Sequence, residues 1–376
     1  MEQKTTLFSI SALNFNKNQI TNDMTTYKID LTAWYLNVER ICQLINSPAL
    51  LDSISVLSGF KGPAGMMSKE GIAISVAQKS LEEWLQINVV PTLGELFAKE
   101  TLPRQGQLFT IYHDFFGKGL SKYNSPSQEI PRNAVAQIHT KLKYNDEYRL
   151  RIFYHPNNLI SQTAWSRLGG KSRFFVFAYI EQIENNEIFA RPYVIGDLNN
   201  QFLAQSPTRW NAMNYGEIHP SEIDQFSLIR DQYNAEKKSP DISILRSIPE
   251  NSIKRAIAEI VHEGNIPNDW GGEKSDLFTS NVSVDGRMMS TAFLLKGPAK
   301  FTPMKMTHLG KNGDQIERLF TEPADLLILQ HCHQVTNPVR GTMRAFASRI
   351  HDLRYFSILD GYDTIRLMKA YGKCNL

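Results

Sequence analysis

The chain has 376 residues, and 41 Lys and Arg against 38 Asp and Glu give it a formal net charge of +3. Its composition of 42% hydrophobic, 21% charged and 10% aromatic residues is that of an ordinary globular protein, which excludes a largely disordered or low-complexity chain. The length predicts two or three domains, and the nearly balanced charge permits contact with a polyanion without requiring one.

The N-terminal half contains patterns of both helices and strands. LTAWYLNVERICQL begins with helical spacing that aligns Trp34, Leu36 and Ile41, and VAQKSLEEWLQINVVPTLGELFAK predicts a helix interrupted near Pro91. Strand-like alternation follows in QLFTIYHDFF and EYRLRIFYH, and RFFVFAYIEQIENNEIFARPYVIGDL predicts a hairpin that turns at Glu184, Asn185 and Asn186. We therefore predict an α+β domain over residues 1–235, which would recognise a target or bind a partner.

The C-terminal half has a clearer order of elements. The polar stretch DQYNAEKKSPD predicts a linker, after which residues 236–376 would form a second domain. PENSIKRAIAEIVHEG predicts a capped helix, and SDLFTSNVSVDGRMMSTAFLLKG predicts two strands around an Asp285-Gly286 turn. The remaining elements are a helix in NGDQIERLF, a buried strand in ADLLILQH, a helix in VRGTMRAFASRIH, a strand in YFSILD and a helix in DTIRLMKAYG. The predicted order is α-β-β-α-β-α-β-α.

Cysteine spacing and hydropathy narrow the class of protein further. Cys42, Cys332 and Cys374 are far apart and form no CxxC pair, which argues against a disulfide framework and a zinc ribbon. The first residues lack the features of a signal peptide, and no apolar run reaches the roughly 20 residues of a membrane helix. These features predict a cytoplasmic protein that does not enter a membrane.

The order of elements from Ile248 to Lys373 resembles the restriction-endonuclease-like nucleases, whose signature is written P-D…(D/E)-x-K. ADLLILQHCHQVTNPVRGTMRAF and RYFSILDGYDTIRLMKAYG are most similar to the Mrr type. The resemblance implies an α/β domain with an αβββαβ core, in which helices flank a mixed central sheet. It also implies a DNA endonuclease that uses Mg²⁺ or Mn²⁺, in restriction or phage defence. By analogy, it suggests a homodimer and a protein partner of a defence system.

Phosphodiester hydrolysis explains the residue types of this signature. A divalent metal offsets developing charge and activates water, and hard cations prefer carboxylate oxygens. By the resemblance Lys296 is the motif lysine, which orients water and stabilises the transition state, and Asp276 is the first acid. A three-residue loop would place Asp276 opposite Leu294 or Lys296, on one face of the hairpin. A two-residue Asp285-Gly286 turn would place it opposite Leu295 and separate the pair.

Leu294 occupies the position where the signature has its second acid. Another side chain must then replace this metal ligand, or the domain is a binding module on a nuclease core that has lost catalysis. The replacements within reach are Glu259 and Glu263 on the preceding helix, Glu273 in WGGEKSD, and Gln315 and Glu317 on the following helix. We predict Glu263 and Glu273 as metal ligands beside Asp276, and Gln315 as an assisting catalytic residue.

Basic residues follow the motif lysine in GPAKFTPMKMTHLGKNGDQ. Lys300, Lys305 and Lys311 are predicted to contact DNA phosphates, although a solvated surface loop would have the same composition. His331 and His333 in QHCHQ lie on one face of an extended segment, but no third ligand follows at a zinc-site spacing.

Overall fold

The structure, a computed structural model, describes most of the chain and contains two large β-sheets with separate cores and a third sheet of only two short strands. The described residues are 29–46, 69–98, 103–123, 129–144, 147–198, 216–236, 238–267, 274–310, 313–350 and 352–375. The helices are α1 (Val38–Ile45), α2 (Lys69–Ile87), α3 (Leu93–Ala98), α4 (Gln162–Leu168), α5 (Ile229–Ala235), α6 (Glu250–Ile260), α7 (Asp314–Leu319), α8 (Asn337–Ala347) and α9 (Gly361–Ala370). The strands are β1 (Leu31–Leu36), β2 (Leu108–Lys118), β3 (Ala136–Lys143), β4 (Glu147–Tyr154), β5 (Lys171–Glu184), β6 (Glu187–Leu198), β7 (Leu277–Val284), β8 (Arg287–Lys296), β9 (Leu326–His331), β10 (Ser348–Arg349), β11 (Asp352–Leu353) and β12 (Tyr355–Leu359).

Strands β2 to β6 close into a five-stranded barrel. Their order is β6-β4-β3-β2-β5, and β5 pairs back onto β6. Neighbours are antiparallel except for β4 and β6, which are parallel, and α4 connects β4 to β5. This is the strand order of the Greek-key barrel called the OB-fold. The barrel leaves β3 and β4 adjacent, with their polar side chains on the outside.

Alternation explains both the barrel core and its outer face. Ile138 and Leu142 of β3 and Leu150 and Ile152 of β4 are almost fully buried, while His139, Lys141 and Arg151 on the alternate positions are more exposed. The β5–β6 hairpin turns as predicted. Asn185 and Asn186 both adopt positive φ, as a two-residue type I′ turn requires.

The first predicted helix is partly wrong. Leu31–Leu36 forms strand β1, which pairs antiparallel with β6, and the helix begins only at Val38. Leu31, Ala33 and Tyr35 are buried in alternation. The segment is short enough to fit both periods, and pairing with the free edge of β6 selects the strand.

The second sheet has the order β12-β9-β8-β7, with β7 antiparallel to β8 and the other pairs parallel. Side chains of β8 alternate between two cores. Phe293 and Leu295 pack in the core that contains residues of α6 and α9, whereas Leu294 packs in the core that contains residues of α7 and α8. The protein is therefore of the mixed α/β class. Its elements from α6 to α9 follow the predicted order, except that the helix predicted through residue 351 ends at Ala347 and the short strands β10 and β11 follow it.

The C-terminal core also includes residues that precede the predicted linker. Ile218, Phe226 and Ile229 are fully or almost fully buried in the core on the α6 and α9 side. Tyr233 donates a hydrogen bond of 2.8 Å to Asp363 at the start of α9. The division at residues 235 and 236 stays a prediction, but packing on the second sheet begins before it.

A short contact joins the barrel to the second sheet. Helix α3 supplies Leu93 and Phe97 to the barrel core, and its other side packs against α8. Glu95 of α3 is 6% exposed and accepts a hydrogen bond of 2.5 Å from Arg349, just after α8. In the part of the chain that the structure describes, no helix is long and apolar enough to cross a membrane.

Candidate active site

The β7–β8 hairpin sets the position of Asp276, and it does so in a way that the sequence did not predict. Asp285 and Gly286 form a two-residue turn with φ of 53° and 73°, and Val284 pairs with Arg287. Continued without interruption, this register would place Asp276 opposite Leu295, on the wrong face of the hairpin.

A β-bulge corrects the register. Thr279 pairs with Thr291 but Val282 pairs with Met289, so two residues of β7, Ser280 and Asn281, face one residue of β8. Beyond the bulge Leu277 pairs with Phe293, and Asp276 therefore falls opposite Leu294. The turn is the unfavourable one, yet the extra residue returns Asp276 to the face that carries Leu294 and Lys296.

Asn281 holds the bulge through two hydrogen bonds. Its backbone N–H donates to Thr279 Oγ1 at 3.1 Å, and its side-chain Nδ2 donates to the His262 carbonyl at 2.9 Å. His262 follows α6, so the bulge is attached to the helix that covers this side of the sheet. These contacts make the bulge a built feature of the hairpin.

Asp276 is largely buried at the end of the hairpin. Its Oδ2 accepts a hydrogen bond of 2.5 Å from the Leu295 N–H. Burial raises the pKa of the Asp276 carboxyl above its usual value, the Leu295 N–H lowers it, and Lys296 and Lys254 lower it through their charges. The charge of Glu250 raises it. The carboxylate thus lies among two cations and a second acid.

Glu250 is an acid beside Asp276 that the sequence did not single out. It lies in the first turn of α6, and its Oε2 accepts a hydrogen bond of 2.5 Å from the Gly297 N–H, immediately after Lys296. A Cβ at Gly297 would lie 2.5 Å from the Glu250 Cβ, so glycine is needed for this approach. The sequence signal was the Pro249-Glu250 start of the helix, which was interpreted only as capping.

Lys254 lies one turn after Glu250 on the same face of α6. It is 4% exposed, and its Nζ donates to the Pro267 carbonyl at 2.8 Å. Its charge lowers the pKa of Asp276. Spacing of four residues brings Glu250 and Lys254 to one side of the helix, towards the end of β8.

The end of β9 completes the cluster from the neighbouring strand. Gln330 is fully buried, and its Oε1 accepts from the Lys296 N–H at 3.3 Å while its Nε2 donates to Thr364 of α9 at 3.2 Å. His331 pairs in register with Lys296, and its Nε2 lies 3.0 Å from the Thr302 carbonyl. The backbone that carries Lys296 is therefore fixed from two sides.

The other predicted site residues are less close to this cluster. Glu263 accepts a hydrogen bond from the Asn265 N–H at 2.9 Å. It follows His262, whose carbonyl accepts a hydrogen bond from Asn281. At the usual rise per residue of a strand, Asn281 lies about 15 Å along β7 from Asp276. The structure does not bring Glu263 to Asp276. Glu273 lies outside the described residues.

Gln315 is carried by α7 on the Leu294 side of the sheet, whereas Lys300 precedes Phe301, which packs against the core on the α6 and α9 side. Gln315 is in the first turn of α7, whose apolar residues share a core with Leu294, and its Oε1 is buried without a hydrogen-bond partner among the described residues. Lys300 and Lys305 are exposed. The pKa of His308 is lowered mainly by burial and to a smaller extent by the positive charges of these two lysines. Lys311 lies outside the described residues.

The donor set fits Mg²⁺ better than a transition metal. Within the described residues no three side chains among His, Cys, Asp and Glu are grouped to hold a metal ion. Mg²⁺, however, is commonly bound by one or two carboxylates, and water and phosphate oxygens complete its octahedron. Asp276 and Glu250 supply such a pair, and the raised pKa of Asp276 is the behaviour of a buried acid that a cation would stabilise.

In comparisons with known proteins, no family model, curated protein or solved structure matches this chain.

Proposed function

We propose that the second sheet and its helices form a restriction-endonuclease-like domain that hydrolyses DNA with Mg²⁺ or Mn²⁺. The observation that carries the proposal is the bulge-corrected register, since it puts Asp276 across from Leu294 on the face of Lys296. Glu250 would act as the relocated second carboxylate, because Leu294 occupies the motif position for that acid. Restriction or phage defence would be the setting, by resemblance alone.

Each residue of the proposed site would have a distinct role in hydrolysis. Asp276 and Glu250 would hold the cation, which when bound supplies charge neutralisation and lowers the pKa of a water. Lys296 would orient the attacking water and stabilise negative charge on the phosphoryl oxygens. Gln315 has a buried acceptor that no described residue contacts by a hydrogen bond, and it would assist from α7. Lys300 and Lys305 would contact phosphates next to the scissile bond.

One observation favours a second candidate function. Leu294 is 5% exposed and packs with residues of α7 and α8, so the motif position is part of an apolar core. A domain that had lost catalysis would keep this core and serve as a nucleic-acid-binding or protein-interaction module. The two candidates differ in whether purified protein cuts DNA.

Cleavage of a supercoiled plasmid in Mg²⁺ or Mn²⁺ tests the proposal. We expect the wild-type protein to nick the plasmid, and Lys296→Ala, Asp276→Asn and Glu250→Gln each to lower the rate by about 100-fold or more. Glu259→Gln is the matched control, because Glu259 lies on the same helix but pairs with Lys373 at the surface, where it is 61% exposed. If wild type and Lys296→Ala both leave the plasmid intact in either metal, the enzyme proposal should be abandoned in favour of the binding module.

A further inference from the structure

A groove of about 930 Å³ crosses the outer face of barrel strands β2, β3 and β4, away from the candidate active site. The side chains around it come from these strands and the start of β5. They include the cations Lys118, Lys141, Arg149, Arg151 and Lys171, together with Phe116 and His139. A second cavity, of about 540 Å³, is lined by the β5–β6 turn and shares Lys141 and Arg149 with the first. Together they form one path across the barrel.

The groove carries a net positive charge. Five of its lining residues are Lys or Arg and one is acidic, and that residue, Asp114, is paired with Arg173 at 2.8 Å. Among the cations, Arg151 and Arg149 lie 2.7 and 3.7 Å from the carboxylate of Glu187, beside the groove. The pKa of His139 is lowered first by burial and then by the charges of Arg151 and Lys118. Five cations thus surround the groove against Asp114 within it and Glu187 beside it, although the whole chain is almost neutral.

Aromatic rings lie between these cations. Phe116 is 46% exposed, its ring centroid lies 5.9 Å from that of His139, and the Lys171 Nζ lies 5.5 Å from it. Phe116 pairs in register with His139, which pairs with Arg151 on the next strand. One row across three strands thus presents an exposed ring, an imidazole and a guanidinium.

We propose that this groove binds a single strand of nucleic acid. Its cations would contact phosphates, and Phe116 and His139 would stack on bases. A duplex keeps its base faces stacked inside, so rings on a protein surface have bases to stack on only when the strand is single. A barrel of this topology does not by itself specify a ligand, so the side chains carry the inference.

Binding can be measured with the full-length protein in EDTA, so that the result does not depend on cleavage. Fluorescein-labelled oligothymidylate of about 20 nucleotides, longer than the roughly 4–16 nucleotides that one such barrel covers, is compared by anisotropy with a duplex of equal length. We expect the single strand to bind at least about 10-fold more tightly and with a strong salt dependence. An oligouridylate arm shows whether the strand is DNA or RNA.

Two pairs of variants separate stacking and charge from folding. Phe116→Leu should weaken single-strand binding by roughly 5- to 150-fold, whereas Phe116→Tyr keeps the ring and the affinity. Arg149→Ala should lower the slope of log affinity against log salt by about 0.7, whereas Lys79→Ala, on the exposed side of α2, should not. Equal affinity for the duplex, or unchanged binding by both Phe116→Leu and Arg149→Ala, would overturn the proposal.

Discussion

Replacement of Glu250 separates its structural contribution from its proposed catalytic one. The carboxylate accepts the N–H of Gly297, a buried residue, at 2.5 Å and lies in the first turn of α6. Glu250→Gln keeps an oxygen that can accept this hydrogen bond but removes the charge. Glu250→Ala removes both.

The two variants should differ in stability by about 2 kcal/mol. In Glu250→Ala the buried Gly297 N–H loses its acceptor, which costs about 1–3 kcal/mol, and the helix loses a favourable negative charge at its N-terminus, worth about 0.3–1 kcal/mol. Glu250→Gln loses only the charge, and part of that loss is offset because the repulsion of Asp276 also disappears. The glutamine variant should therefore lie within about 1 kcal/mol of wild type.

Thermal unfolding and plasmid nicking together test this reasoning. The alanine variant should unfold roughly 4–8 °C below the glutamine variant, at the usual 2–4 °C per kcal/mol for a domain of this size. Both should lose nicking activity. If the two variants unfold at the same temperature, Glu250 does not hold the Gly297 N–H. If Glu250→Gln cuts at the wild-type rate, the carboxylate is not a metal ligand.

Three further predictions follow from particular contacts. Because burial raises the pKa of Asp276, the folded state binds the proton more tightly, and stability should decline as pH rises from 3.8 through the folded pKa. Thermal unfolding measured across pH should show this decline in the wild type but not in Asp276→Asn. The same variant should also lose the stabilisation by Mg²⁺. Gly297→Ala should lower nicking by at least about 10-fold, since its Cβ would displace Glu250; nicking at the wild-type rate would contradict the close approach. Arg349→Ala should destabilise the protein by about 3–5 kcal/mol in urea unfolding, because Glu95 stays buried without its cation, whereas loss of under about 1 kcal/mol would show that the pair contributes little.

The bulge explains how a common turn and an uncommon register coexist in one hairpin. Asp285 and Gly286 fit the type I′ turn that local sequence favours, and that turn alone would bury Asp276 on the wrong face. The extra residue at Ser280 and Asn281 costs ladder pairing but moves every following side chain of β7 by one position. Hydrogen bonds from Asn281, including the one to the α6 side, hold this arrangement in place.

The sequence by itself determined the elements whose signals are local. Helical spacing placed the helices from α6 to α9, and alternation with Asn185-Asn186 and Asp285-Gly286 placed both hairpins. The predicted cap at the start of α6 is wrong, because Pro249 has no side-chain group that can accept a hydrogen bond. These signals are reliable because the residues that make the contacts lie within one or two turns of each other. Lys296 and Asp276 were nominated by the resemblance to the nuclease signature, and not by these patterns.

Tertiary structure decided everything that depends on a distant partner. Leu31–Leu36 is a strand because it pairs with the edge of β6. The β5–β6 pairing closes the barrel, and only the closed barrel brings the cations of three strands together in one groove. The acid proposed in place of the missing one is equally non-local, because Glu250 reaches the end of β8 only where α6 packs on the sheet. No spacing along the chain encodes that approach, since it depends on how a helix docks and not on where its residues fall in the sequence.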